Sequence, residues 1–349
     1  MTSTSDQAGS PPLTVAVCIG TYNQAQYLKG SIESALAQTY PIQEFWVADD
    51  CSTDHTDAVM QEICKLYPHI RYYRQPKNLA LPGNLSWLLA QPKTDLIVRL
   101  DSDDRLEPGY VAALVELMRQ YPKAGFAHCD VGELDKDNQR PRIRRLTRTQ
   151  TFESGEEALK SNASGYRVAA NCILYRAQAL REVNYYMPNL DWRTCEDWDM
   201  VLRMADLGWG NVYAPKVLSN YRVWDDAQGV RAKRKMSEVM TTIDIYNGTL
   251  IPAYQQRNWS IAPLQRNMRL KAIQFADAID SPLFTEQDRV DYKALLKKLS
   301  DSRGLSLAIA VADMGLNPLV RLWARIRLRA KDAAKVILRT IRPVRPAIS

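Results

Sequence analysis

Between residues 13 and 101 this 349-residue chain alternates short apolar runs with helical patterns, and that alternation constrains its fold more than any other feature. LTVAVCIG ends at Gly20 and a helical stretch follows over residues 26–37. FWVA then runs into Asp49 and Asp50, and Ser52, Thr53 and Asp54 stand ready to cap a helix reaching about residue 66. The strand IRYYR, a helix near residues 84–90 and the strand DLIVRL, ending at Asp101, complete a βαβαβαβ order. Strands that are apolar throughout, not at every second residue, predict a mostly parallel α/β sheet covered by helices on both faces.

In such sheets ligands bind at the carboxyl ends of the strands, and here those ends are polar. The first strand delivers Thr21, Tyr22 and Asn23, and the second Asp49 and Asp50. The third leads to Asn78 and Asn84, and the fourth delivers Asp101, Asp103 and Asp104. No GxGxxG or GxxxxGK[ST] follows any of them, so neither a dinucleotide fingerprint nor a P-loop is supported. Three carboxylates within four residues repel one another unless a cation compensates them. A hard ion such as Mg²⁺ or Mn²⁺, taking further ligands from water and substrate phosphates, fits that set and implies a nucleotide substrate. Each element also has a plainer reading. The acids can cap the helix near Pro108, DDCSTD is a good strand-to-helix turn, and Tyr22 can be a surface aromatic or a platform for a base.

Six cysteines stand singly with no CxxC pair, and none of the three histidines is at ligand spacing to another, which argues against a disulfide framework, a zinc ribbon or a His-rich metal site. The first twelve residues carry no Lys, Arg or apolar run, so a cytoplasmic location is expected. Of the net charge of +7, residues 316–349 contribute +8, from nine Lys and Arg against Asp332. The basic character belongs to a tail, which disfavours a nucleic-acid partner. In that tail Leu319, Leu322, Trp323, Ile326, Ala330, Ala333, Ile337 and Ile341 share one helical face while most basic residues occupy the other, the pattern of a helix lying on an anionic membrane surface. A helix packed on the catalytic domain or on another subunit is the alternative.

The stretch VAVCIGTYNQAQYLKGSIESALAQTYPIQEFWVADDCSTD, followed by NLALPGN and VRLDSDDRLEPGY, resembles the donor-binding half of glycosyltransferase family 2, which has the GT-A fold. The resemblance implies inverting transfer of a sugar from a nucleotide-sugar donor, with a divalent cation, Mg²⁺ or Mn²⁺, on the diphosphate, and mildly favours UDP. By the same likeness Thr21 and Tyr22 match the base-contacting turn and Asp50 the acid that binds the base. Asp101 matches the first Asp of the DXD motif, beside the ribose, and Asp103 the second Asp, on the metal, with Asp104 as an acidic neighbour. Ala80 and Gly83 stand where the family has a glycine and commonly an arginine, and Trp224 stands near the place of a histidine that many relatives carry.

Inversion needs one carboxylate to take the acceptor proton. In DWRTCEDWDMVLRMADLG, Glu196 and Asp197 open a helix reaching about residue 207, and EDWD resembles the family's acidic motif. On that likeness Asp197 is the general base and Glu196 positions the acceptor. Complementing the helix dipole, with a Thr194–Asp197 capping box, is the alternative role for these acids. Arg222, Arg231 or Lys233 can supply positive charge to the diphosphate.

The expected organisation is a disordered terminus (1–12), a glycosyltransferase domain (13–235) with its donor half at 13–130 and its acceptor half at 131–235, a helical extension (236–315) and the basic tail (316–349). The expected function is transfer to a glycan or glycolipid acceptor, lipid-linked and destined for surface polysaccharide, on the cytoplasmic face of the membrane. A nucleotidyltransferase and a non-catalytic nucleotide-sugar-binding protein are the alternatives.

Overall fold

The computed structural model describes residues 11–146, 148, 150–166, 172–186, 195–224, 234–319, 322 and 326. Its first part follows the alternation in the sequence: β1 (Val15–Thr21), α1 (Ala25–Leu36), β2 (Glu44–Asp49), α2 (Thr56–Leu66), β3 (Ile70–Arg74), α3 (Ala80–Leu89) and β4 (Leu96–Asp101). β5 (Arg105–Leu106), α4 (Tyr110–Gln120), β6 (Ala124–Leu134), β7 (Arg142–Arg144), β8 (Phe152–Glu153), α5 (Gly155–Asn162), β9 (Cys172–Arg176) and α6 (Ala177–Glu182) continue it. α7 (Glu196–Asp206) and β10 (Gly210–Arg222) then close one ten-stranded sheet of order β3-β2-β1-β4-β9-β6-β10-β5, with β7 paired to β6 and β8 to β10.

β1 runs parallel to both β2 and β4. The chain leaves β1 towards one edge and returns on its other side, so the strand order reverses between β1 and β4, where an open α/β sheet leaves a crevice at its strand ends. Antiparallel β9 follows β4, and β6 and β10 are parallel again. The sheet is therefore mixed, with its parallel half where the sequence places it.

The continuous apolar strands follow from cover on both faces. Val15, Val17 and Ile19 of β1 and Val98 and Leu100 of β4 pack with Leu28, Ile32, Met60 and Leu114 of α1, α2 and α4. Cys18 and Ile97 face the other way, towards Leu85 and Leu88 of α3. That second cluster extends through Leu159, Leu180 and Trp198 into the helices that follow β10. These are α8 (Lys235–Asp244), a π-helical turn (Ile245–Leu250), α9 (Ile251–Gln256), α10 (Ala262–Phe275), α11 (Glu286–Leu299) and α12 (Arg303–Asp313). Tyr246, Leu264, Phe275, Tyr292 and Leu305 make this C-terminal layer part of the same core as α5–α7.

One close approach sets the position of α7. Ser154 caps α5 with a complete capping box to Glu157, and the next residue, Gly155, lies against the end of α7: a Cβ there would stand 2.6 Å from the carbonyl oxygen of Ala205 and 2.9 Å from backbone atoms of Gly208. Backbone cannot yield as a flexible side-chain tip does. Gly155→Ala is therefore expected to destabilise the protein by about 2 kcal/mol in denaturant unfolding. Unchanged stability would show that the two helices are not so closely apposed.

Candidate active site

The strand ends at the β1–β4 reversal and the start of α7 surround one cavity of about 760 Å³. Four of the turns at its rim hold a non-glycine residue in the left-handed region: Asn23 after β1, Cys51 after β2, Ala80 at the start of α3 and Cys195 before α7, with φ of 53°, 63°, 59° and 65°. Such residues are strained, and they persist where surrounding bonds over-determine them. Here the bonds are visible. The Asn23 side-chain oxygen accepts from the Thr53 and Asp54 amides at 2.7 and 3.3 Å, and the Asn78 side-chain oxygen accepts from the Ala80 amide at 3.0 Å. The family glycine replaced by Ala80 thus occupies a position whose conformation favours glycine.

On the β1–β2 side, Thr21, Tyr22, Asp50, Asn78 and Asn84 all line the cavity. Asp50 accepts from the Leu79 amide at 2.7 Å, while the Asn78 amide donates to the Asp50 carbonyl and Asn84 bridges the Ala48 carbonyl and Gln75. Burial raises the Asp50 carboxyl above its ordinary range, against the lowering effect of the Leu79 amide. The Thr21 hydroxyl is buried without a partner, and the Tyr22 ring is 47% exposed over the opening. Asp49 is structural, since it holds Ser52, Tyr72 and Arg74 beneath the turn.

On the β4 side the three acids divide. Asp101 and Asp103 line the cavity, whereas Asp104 is fully buried, accepts from the Arg222 amide at 2.8 Å and has a second oxygen without a partner. Burial, opposed by Arg99 and helped by Asp103, pushes Asp101 up to about 6, and burial also raises Asp103. The indole of Trp224 donates to Asp103 at 2.8 Å and packs edge-on against Tyr27.

At the start of α7 both acids line the same cavity. The Asp197 Oδ1 accepts from the Tyr186 hydroxyl at 2.8 Å and from the Arg99 guanidinium, which also donates to Asp101 at 3.2 and 3.3 Å. Arg99 is 1% exposed, so a single buried cation joins the donor-side carboxylate to the catalytic candidate. Among the described residues nothing donates to the Asp197 Oδ2. Burial and the Asp197 charge push Glu196 up to about 7.

Ten of the predicted residues therefore meet in one cavity, and three do not. Asn23 staples the turn beneath it and Asp104 lies behind it. Arg222 is tied by its guanidinium to the Asp103 and Asp135 carbonyls and to Asn138, away from a diphosphate. Arg231, Lys233 and Thr194 lie outside the described residues. Arg99, Tyr186 and Arg234 are the additions, and only the first had a readable signal, a lone charge inside the apolar strand DLIVRL that burial obliges to find partners. Among the described residues no three His, Cys, Asp or Glu side chains form a metal cluster. Two carboxylates raised by burial, Asp101 also by the charge of Asp103, nevertheless fit a hard cation that draws its other ligands from a diphosphate.

An acidic cleft at the switch point of this mixed sheet defines a domain of the GT-A type, as its solved neighbours confirm. The mannosyltransferase PcManGT of Pyrobaculum calidifontis, solved with GDP-Man and Mn²⁺, superposes with a TM-score of 0.56 at 15% identity over 94% of this chain and 86% of its own. A family profile described as Glycosyl transferase family 2 matches residues 16–183, and the likeness of the chain to that family lies in this segment. EpsE of Bacillus subtilis (strain 168), assigned as a glycosyltransferase, is 28% identical over 66% of this chain and 80% of its own length. TuaG of the same organism, assigned as a teichuronic acid biosynthesis glycosyltransferase, is 24% identical over 60% of this chain and 79% of its own.

The native state keeps a proton on Glu196 up to about pH 7, whereas the unfolded chain releases it near 4.5, so this group lowers stability as pH rises through that window. Glu196→Gln is expected to gain stability over the wild type progressively from about pH 4.5 to 7 and to hold a constant gain above it. Thermal unfolding across pH checks this, and a pH-independent difference would contradict the protonated state.

Proposed function

We propose that the chain is an inverting glycosyltransferase that moves a sugar from a nucleoside diphosphate sugar to an acceptor hydroxyl. The observation that carries this is the placement of Asp197: one oxygen is fixed by Arg99 and Tyr186, the other is open to the cavity, and Asp101 and Asp103 line the same space. The base and ribose of the donor lie against Tyr22, Asp50 and Asp101. Asp197 Oδ2 takes the proton from the acceptor hydroxyl, whose oxygen attacks the anomeric carbon opposite the diphosphate. The bond from that carbon to the diphosphate oxygen breaks and the diphosphate leaves with the electron pair. A single carboxylate in this role gives inversion, because retention through a covalent intermediate needs a second nucleophile. Asp101 and Asp103 would hold Mg²⁺ or Mn²⁺, which supplies neutralisation of the diphosphate charge when bound. The Mn²⁺ in the PcManGT complex supports that part, and its GDP-Man supports the donor class. Solved neighbours of the same fold carry UDP-GlcNAc as well as GDP-Man, so the likeness assigns no base to the donor.

One observation favours a second reading, a nucleotide-sugar-binding protein without turnover: the Trp224 indole occupies an oxygen of Asp103. The two readings separate in hydrolysis of a panel of UDP-, dTDP- and GDP-sugars with Mn²⁺. Transfer predicts slow turnover that Asp197→Asn lowers by about 10²- to 10⁴-fold with nucleotide binding retained. Asp103→Ala should abolish the metal-dependent part of that binding. Binding without turnover in the wild type would favour the second reading.

The proposed acceptor is a lipid-linked glycan of a surface polysaccharide, with the protein held peripherally at the cytoplasmic face. TuaG supports the polysaccharide class by its assignment. The exposure of Leu319, Leu322 and Ile326, at helical spacing and 52–59% accessible, supports a tail whose apolar face is not packed on the domain. The other residues of that stripe lie outside the described part, and no helix among the described residues is long and apolar enough to cross a membrane. Each basic residue near an anionic surface adds about 1 kcal/mol. The full chain should therefore float with anionic liposomes and a chain lacking residues 316–349 should not; equal flotation would refute the membrane role.

A further inference from the structure

In the hairpin that joins β6 to β7, residues 136–145 carry Lys136, Arg140, Arg142, Arg144 and Arg145 against Asp137, a net charge of +4. Since the tail's +8 exceeds the chain's net +7, residues 1–315 sum to −1, and this hairpin is a local excess in a nearly neutral body. It is pinned beside the donor cleft. The Asp135 carbonyl and the Asn138 side chain accept from Arg222, which also donates to the Asp103 carbonyl, and Arg140 pairs with Glu107 just after β5.

Directly opposite residues of paired strands put their side chains on one face, and Tyr221 of β10, Glu133 of β6 and Arg142 of β7 form such a row. Tyr221 lines the donor cleft, and the Arg144 guanidinium lies 4.7 Å from the centre of its ring. From the cleft outward this face therefore carries Tyr221, then Arg144 on its ring, then Arg142 two strands away.

The acids that meet these arginines lie beneath them. Glu133 accepts from Arg144 and stands 3.8 Å from Arg142, while Asp130 stands 3.9 Å from Arg145. The Glu133 and Asp130 side chains are 12% and 5% exposed, whereas those of Arg142, Arg144 and Arg145 are 79%, 52% and 53% exposed. Each arginine has a partner, but three cations share two covered carboxylates, and the pairs of Arg142 and Arg145 are longer than hydrogen bonds. Exposed pairs of that kind contribute little, and a guanidinium carries five N–H donors in a fork that fits carboxylate or phosphate at two points. An anion arriving from solvent meets the cations first.

We propose that the β6–β7 hairpin is a docking surface for the acceptor, and that this acceptor is a glycan chain carrying carboxylate or phosphate groups along its length, held by Arg142, Arg144 and Arg145 while its end occupies the cleft. The inference rests on the glycosyltransferase reading above and names the acceptor class that reading leaves open. An anionic membrane matches the same charge, but a row that starts at the wall of the cleft favours the chain whose end reacts there.

The test is binding of hexagalacturonate and of mannopentaose bearing a terminal mannose 6-phosphate, each against its neutral form (the methyl ester and the dephosphorylated glycan). The full chain is used at about 0.15 M salt with saturating UDP or GDP and Mn²⁺, which keeps the phosphate probe out of the donor cleft. At least one anionic form should bind about tenfold or more tighter than its neutral form, and which one does so names the group. Arg142→Gln/Arg145→Gln should erase that preference. Lys297→Gln/Lys298→Gln, the same change of net charge at exposed positions of α11, should leave it intact. Flotation of the hairpin variant with phosphatidylserine-containing vesicles should equal that of the wild type. Equal binding of charged and neutral glycans to a wild type that binds nucleotide would overturn this inference alone, as would a preference that survives in the folded hairpin variant or falls equally in the α11 variant. Lost flotation with unchanged glycan binding would assign the hairpin to a membrane instead. A wild type that binds no nucleotide would sink the glycosyltransferase reading and this inference with it.

Discussion

A buried arginine is the constraint on which the site depends. Arg99 enters from the middle of β4, where both faces of the sheet are covered, and a guanidinium there is tolerable only with its charge matched and its donors used. It finds Asp101 at the end of its own strand and Asp197 nearly a hundred residues later, at the first turn of α7. Removal of the arginine leaves two carboxylates without their cation. The donor-side acid and the base candidate are thus held at a set separation by the same electrostatics that stabilises the fold.

The rest of the cleft extends that logic to the backbone. Four turns at its rim each hold a non-glycine residue in the left-handed region, and three of them, after β1, after β2 and at the start of α3, bond to one another through side chains and amides. Strain held by hydrogen bonds keeps the donor side rigid. The other side of Asp197 is built differently, from helices that pack into the main core behind α7. The cleft itself joins strand ends inside the family match to the start of α7, which lies beyond it.

Much of the donor half was legible because its signals are local. Strand ends such as GTYN, VADD and RLDSDD place polar groups by their position alone, and all three reach the cavity. Local signals could not say which of neighbouring carboxylates faces ligand: Asp103 and Asp104 are adjacent, yet one lines the cavity and the other accepts from the Arg222 amide behind it. Arg222 looked like a free cation but binds carbonyls brought in by β6 and the turn after it. Arg234 sits in RAKRK, a run with the look of a solvated helix face, and Tyr186 in a segment with no motif; both matter through contacts distant in sequence.

The central claim, that Arg99 couples the base to the donor side, is tested most directly by a double-mutant cycle on stability with Arg99→Met and Asp197→Asn. The account predicts that Arg99→Met alone costs several kcal/mol, about 3 to 5, and that adding Asp197→Asn returns part of it, with a coupling of at least about 2 kcal/mol. Strictly additive losses would contradict it and would leave Asp197 without the anchor that its proposed role requires.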